Sequence, residues 1–274
     1  MVAGLIIPWI PQFLYWKAVT GHFIYYSYAT VDSRFFFGAP HIAEILFSFR
    51  KGWFIYTPIM VFAFIGLVLP KNNLKGVRLP VSVYIILMIY VQASWWTWWF
   101  GGGFGSRVFI DTYGIMAIPL AAFINHTFKI RLRVLSLGLP GCLLLLMSYQ
   151  VFQTFQYRYL SIHWEGMTWP AYRENFMKLR PHGKYWQLLS IPDSELARKG
   201  IYVYYITGEN ISLLEKLNES ERIQYIEHQI RQDRKLMKEI YRYADRSSIS
   251  QEKALEMVAK RIYEQKMSLH GLND

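Results

Sequence analysis

The chain has 274 residues, is 53% hydrophobic and 18% aromatic, and carries a formal net charge of +11. That aromatic and apolar content argues against an ordinary soluble globular domain. A single cysteine, Cys142, excludes an intrachain disulfide and a cysteine-built metal set, and the seven histidines lack HxxxH or HExxH spacing, so no cofactor and no divalent metal are expected.

Charge is spread unevenly. Residues 1–155 hold three acids (Asp32, Glu44 and Asp111) against eleven lysines and arginines, whereas residues 156–274 hold sixteen acids and nineteen lysines and arginines. The composition divides the chain into a basic, apolar part, 1–155, and a charged part, 156–274.

The first apolar run, Met1–Trp16, is short and broken by Pro8 and Pro11. No basic residue precedes it and no small-residue cleavage site follows, so it is not read as a signal peptide. The next stretch, HFIYYSYATVDSRFF at 22–36, places Tyr25, Tyr26 and Tyr28 beside Asp32. Aromatic faces next to a carboxylate suit a sugar, and they equally suit a plain tyrosine-rich interface. Residues 40–51, PHIAEILFSFRK, repeat Ile42, Ile45, Leu46 and Phe49 at helical spacing, with His41, Glu44 and Arg50 elsewhere around the turn. This segment is too short and charged to span a bilayer and is expected to lie in the interface, as a connector or as the lining of a ligand site.

Four longer apolar runs follow: Trp53–Leu69, Leu79–Trp95, Ile110–Ile124 and Val134–Phe155. Each is close to the ~20 residues that cross a membrane. The loops 71–78 and 127–133 carry three basic residues each and no acid. The positive-inside rule puts both in the cytoplasm. Residues 17–52, the loop 94–111 and everything after Phe155 then face outward, and a periplasm suits that compartment. Lys17, with no basic residue before the first run, argues the reverse orientation. The six inner-loop charges outweigh it, and the chain is expected to be the C-terminal part of a longer protein. The expected fold is an all-α polytopic membrane protein with four to five transmembrane helices, an interfacial helix and a mainly helical tail.

The outer loop SWWTWWFGGGFGSRVFID, 94–111, concentrates indole, glycine and one cation. Trp95, Trp96, Trp98 and Trp99 fit an aromatic belt at the headgroups. Gly101, Gly102, Gly103 and Gly105 allow a ligand to approach the backbone closely. Arg107 offers a planar fork suited to phosphate, and Asp111, one helical turn on, is placed to orient it. These residues point to an anion site at a membrane surface.

In the tail, WEGMTWPAYRENFMKLRP reads as loop and short helix, and GIYVYYIT at 200–207 as a short strand. Residues 219–245 read as one amphipathic helix with Ile223, Ile226, Ile230, Met237, Ile240 and Ala244 on one face. Ser248 with Gln251 reads as the capping box of a second helix, 250–268, ended by Gly271. Its lysines and arginines are matched by acids, and no nucleic-acid-binding signature is present.

PQFLYWKAVTG at 11–21, APHIAEILFSFRKGWFIYTPI at 39–59 and WWFGGGFGSRVFID at 98–111 resemble the later membrane portion of bacterial GT-C glycosyltransferases. These polytopic enzymes are related to protein O-mannosyltransferases and lipid A aminoarabinose transferases. The resemblance covers residues 1–125 and implies a location in the inner membrane. It also implies transfer of a sugar from a polyprenyl-phosphate carrier to a lipid, glycan or protein acceptor on the outer face, with no nucleic-acid partner. Arg107 would meet the carrier phosphate, with Asp111, Gly103, Gly105, Trp98, Tyr28, Asp32 and His41 around the donor. The family's catalytic aspartate lies in the first outer loop, yet here no acid precedes Asp32. The catalytic residue is therefore unassigned. The chain is expected to be a fragment or split-gene product of a transferase, or an inactive relative. A non-catalytic partner subunit is the alternative. A transporter segment is disfavoured, because the spans hold almost no charge apart from Asp111 at one end.

Overall fold

The computed structural model describes residues 7–26, 33–69, 74–203 and 217–270. The chain forms two compact units, Met1–Arg34 and Phe35–Asp274. In the first, a 3-10 turn at Ile7–Trp9 leads into α1 (Ile10–Thr20), with Pro11 in the first turn, where its missing N–H costs no hydrogen bond. Gly21 ends the helix in the left-handed region at φ 79°, and Lys17 Nζ donates to the Gly21 carbonyl at 2.7 Å. No residue of α1 is buried, and Leu14, Tyr15 and Val19 are all exposed.

The second unit contains α2 (Ile42–Phe47), α3 (Trp53–Tyr56), α4 (Ile59–Val68), α5 (Arg78–Ala93), a 3-10 helix at Arg107–Thr112 running into α6 (Tyr113–Thr127), and α7 (Arg133–Arg158). Two helical stretches, Arg107–Thr127 and Val134–Arg158, are long and apolar enough to cross a membrane. The other two expected spans are shorter. α4 has 10 residues and α5 has 16. At 1.5 Å per residue they rise about 15 and 24 Å, against a hydrocarbon layer of about 30 Å. The run Trp53–Leu69 is not one helix, because α3 stops at Thr57, whose N–H meets the Trp53 carbonyl at 2.7 Å. Pro58 restricts the residue before it and opens α4.

The short interfacial helix is present as α2, with Ile45 fully buried and Ile42 exposed. One core joins Ile45, Trp53, Met60, Ile85, Trp98, Phe109 and Met116. Trp53 stacks on Phe109 with ring centres 4.2 Å apart. α4 crosses α6 at Gly66, where a Cβ atom would lie 2.0 Å from the Pro119 carbonyl oxygen. The backbones therefore touch, and glycine is required there by sterics.

The tail adds α8 (Trp169–Glu174), α9 (Ser194–Arg198), α10 (Glu219–Gln232), α11 (Arg234–Ser247) and α12 (Gln251–His270). The single helix expected over 219–245 is broken in two. Asp233 leaves the helical region, and its carboxylate accepts the N–H groups of Lys235 and Leu236 at 2.9 and 3.0 Å. An aspartate that can cap gains more there than in a helix interior. The apolar face holds across the break, since Ile226, Ile230, Met237, Ile240 and Ala244 are all buried in one cluster with Val258 and Ile262. Ser248 does not cap α12. It ends α11 at φ 53°, and Ser250 Oγ accepts the Lys253 N–H instead. Among the described residues there is no strand, only an isolated bridge between Phe35 and Trp95. Ile201–Val203 pairs with no neighbouring strand, and residues 204–207 of the expected strand, with Gly271, lie outside the described residues.

The Gly66–Pro119 contact yields a test. Gly66→Ala forces two helices apart and should destabilise the purified chain by roughly 1–3 kcal/mol, the usual cost of overpacking. Gly138→Ala in α7, where a Cβ meets nothing within 4 Å, should be neutral or slightly stabilising. Thermal melts of both variants in detergent measure the difference.

Candidate functional site

Three of the four tryptophans do not belong to a lipid-facing belt, and Trp95 is half-buried. Trp96, Trp98 and Trp99 are buried, at 9%, 1% and 4% exposure. The tail covers them. Tyr202 Oη donates to the Trp96 carbonyl at 2.9 Å and packs edge-on to Trp99, and Arg198 lies 5.2 Å from the Trp96 ring centre. His41 stacks against Trp98 and meets the Tyr202 ring edge-on at 4.1 Å. The indoles are a floor for the protein's own C-terminal region. Burial against protein competes with the interface for the same amphipathic ring, and composition cannot separate the two.

The glycine loop turns back over this floor. Phe100, Gly101 and Gly105 all have positive φ, at 53°, 63° and 57°. At Gly105 a Cβ would lie 3.0 Å from the Tyr56 Cβ, so both conformation and space demand glycine. The Gly103 carbonyl accepts a hydrogen bond from Lys51 Nζ. Lys51 is 2% exposed and sits in the turn between α2 and α3, next to Arg50. That turn is tight, since Gly52 passes so close to Ser48 that a Cβ would meet its carbonyl oxygen at 2.4 Å.

A second loop, from the tail, closes the site. The Trp164 ring faces Gly102, 3.4 Å from the position of a Cβ there. His163 stacks on Trp164, and its Nδ1 accepts the N–H groups of Glu165 and Gly166 at 3.2 and 2.9 Å. Burial drives the Lys51 amine down to about 8; Glu165 opposes this, while Arg107 and Arg50 add to it. Burial, with the charges of Lys51 and Arg50, takes His163 down to about 4, so it is a neutral acceptor at physiological pH. The arrangement concentrates positive charge from Lys51, Arg50 and Arg107 beside the glycine loop, with one neutral ring and one carboxylate on the facing loop.

The sequence-selected residues divide among three places. Arg107, Gly103 and Gly105 belong to the cationic site, with Arg107 exposed. Asp111 is also exposed and forms no ion pair with Arg107 among the described residues. The expected pairing assumed an α-helical turn, but Arg107–Thr112 is 3-10, and at three residues per turn positions i and i+4 point apart. Trp98 is in the floor. His41 lines a separate cavity of about 290 Å³ with Glu44, Tyr202 and α11. Tyr28 and Asp32 lie outside the described residues.

Sequence reading missed Lys51, His163, Glu165 and the cavity residues on α11. The adjacent Arg50–Lys51 pair between two apolar stretches was a usable signal. Nothing in the sequence links residue 163 to residue 102. Among the described residues no group of three His, Cys, Asp or Glu is arranged to hold a metal. The chain matches no protein-family model, no curated protein and no solved structure.

Two carboxylates beside the cavity have opposite fates. Burial alone would raise Glu44, but hydrogen bonds from His41 and Lys235 bring it down to about 2. Glu239 is raised to about 7, chiefly by burial, although its carboxylate accepts the Tyr202 N–H at 2.7 Å. The folded state therefore holds the Glu239 proton more tightly than the unfolded state. Its stabilisation is complete below about pH 4.5 and is lost as pH rises through about 7. Glu44 runs the other way, losing its contribution as pH falls from about 4.5 towards 2. Glu239→Gln keeps an acceptor for Tyr202, so its melting temperature should fall less than wild type's between about pH 5 and pH 8. Equal slopes in melts across that range would refute the assignment.

Proposed function

We propose that the chain is the donor-binding part of a GT-C membrane glycosyltransferase, acting on a polyprenyl-phosphate-linked sugar at the outer membrane face. The observation that carries this reading is the buried Lys51 amine held on the glycine loop beside Arg107, at the end of an apolar helical bundle. In this reading α4, α5, α6 and α7 all cross the membrane, α1 is a further membrane helix, and the region after Arg158 lies outside. The two short helices α4 and α5 fit a locally thinned bilayer.

The chemistry asked of the site is modest. An acceptor hydroxyl attacks the anomeric carbon, the bond from that carbon to the carrier phosphate oxygen breaks, and the phosphate leaves with an added negative charge. Lys51 and Arg107 stabilise that charge as it develops, which is where an electrostatic term lowers the barrier. Arg107 offers two parallel N–H donors to phosphate oxygens. The base that takes the hydroxyl proton is not assigned to this chain. Glu44 is occupied by Lys235 and His41. The partner-subunit reading shares the same donor site and differs only in where the base resides.

Three outcomes are expected. Arg107→Ala should weaken binding of polyprenyl phosphate by roughly 1.5–3 kcal/mol, the scale of a charged hydrogen bond. Arg107→Lys should weaken it less, and the exposed position should leave the fold unchanged. If Arg107→Ala binds like wild type, the phosphate reading fails. Binding should also decline as pH rises past about 8, where the Lys51 amine loses its proton. Lys51→Arg should abolish that decline if it folds, and a wild-type profile flat to about pH 10 would remove Lys51 from the site. For topology, a cysteine at exposed Lys184 in a Cys142→Ala background should react with an impermeant thiol reagent on intact cells, whereas one at exposed Lys75 should not. The reverse pattern would invert the orientation.

A further inference from the structure

The cavity of about 290 Å³ beside the tryptophan floor is built from residues between Phe36 and Glu44, from Gly200 and Tyr202, and from α11. It shares neither Lys51 nor Arg107 with the donor site. On α11 the lining residues Lys235, Lys238, Arg242 and Arg246 recur three or four positions apart, so all four cations occupy one stripe of the helix. The opposite stripe, Leu236, Met237, Ile240 and Ala244, is buried in the tail's own core. Like charges at this spacing repel, and helix stability gives no reason to align them.

Two carboxylates also reach the cavity, and neither answers the whole stripe. Glu44 is engaged by Lys235 and His41. Glu239 is 7% exposed and turned to the Tyr202 N–H. Arg246 packs over the Phe36 ring at 4.8 Å and donates to the Lys199 carbonyl at 2.8 Å. Lys238 and Arg242 are exposed and form no ion pair among the described residues. Phe36 and Tyr202 give the cavity an apolar side.

The surface next to it is apolar as well. Phe35 and Phe37 flank Phe36, are 42% and 47% exposed, and stack on each other at 5.2 Å. Tyr90 stacks on Phe37, and Trp95 packs against Phe35 at 4.6 Å. Exposed rings beside a cationic cavity, at the end of an apolar helix, are what a phosphorylated amphiphile would contact: charge inside, hydrocarbon on the rings.

We infer that this cavity is a second anion site, taking a phosphate monoester head group on Lys238 and Arg242 with Phe36 and Tyr202 as its apolar wall. The site is independent of the donor-site reading. The phosphate monoester belongs either to a lipid or to a soluble compound, and the two sources are separable by experiment. The full chain in detergent is titrated with dioctanoyl phosphatidic acid, dioctanoyl phosphatidylcholine and inorganic phosphate. Wild type should bind phosphatidic acid, inorganic phosphate should compete for it, and phosphatidylcholine should bind at least tenfold more weakly. Lys238→Gln with Arg242→Gln should weaken phosphatidic acid at least tenfold, with an unchanged melting temperature because both side chains are exposed. Lys253→Gln, an exposed cation on α12 outside both sites, should leave it within twofold of wild type. Tighter phosphatidic acid than inorganic phosphate assigns the site to a lipid, and equal affinities assign it to a soluble phosphate. Undiminished binding by the double variant, equal binding of phosphatidylcholine, or an equal loss on Lys253→Gln would each overturn the inference.

Discussion

Burial of Trp96, Trp98 and Trp99 beneath the segment that ends at Tyr202 is the constraint on which both candidate sites depend. Each indole removes roughly 150–250 Å² of surface from water. At about 25 cal/mol per Å² this is a contribution of about 4–6 kcal/mol for each ring. It has a cost, because the indole N–H groups of Trp96 and Trp98 are buried without an acceptor among the described residues. The gain from the rings outweighs it, and the result is a fixed docking floor at one end of the bundle. Remove that floor and Tyr202 loses the Trp96 carbonyl, His41 loses its stacking partner, and α11 loses its register against Glu44.

The floor also explains why the glycines are where they are. A chain leaving a layer of close-packed indoles must reverse immediately to return to α6. Phe100, Gly101 and Gly105 do so through positive φ, and Gly105 passes against Tyr56 with no room for a side chain. The reversal brings the Gly103 carbonyl to Lys51, which anchors an otherwise costly buried cation. The cationic site is thus a consequence of packing: a buried amine, a backbone acceptor and a nearby guanidinium brought together by one turn.

Charge divides the labour between the two ends of the tail. The loop 163–166 adds a neutral histidine and a carboxylate to the Lys51 site, so its positive charge is only partly offset. α11 adds four cations to the other cavity, against one engaged carboxylate and one that holds its proton up to about pH 7. Positive charge is in excess at both sites, and both lie where the apolar helices and the tail meet within one compact unit.

Much of the architecture was legible from the residues alone. Long apolar runs, basic loops and the heptad-like spacing of Ile226, Ile230 and Met237 encode helices locally, because burial and helical periodicity act on neighbours in sequence. Arg107 and the glycines could be singled out for the same reason: their chemistry is intrinsic. The broken helix at Asp233 was a near miss, since a capping aspartate and an exposed one look alike until the chain bends. What the sequence could not supply was adjacency. Whether tryptophans face lipid or protein, whether Asp111 reaches Arg107, and which carboxylate stands near Lys51 all depend on contacts between residues far apart in the chain or on the pitch of one short helix. Tertiary packing decided those: it buried the indoles under Tyr202, wound Arg107–Thr112 as a 3-10 turn that parts the arginine from the aspartate, and carried Glu165 to a lysine more than a hundred positions earlier.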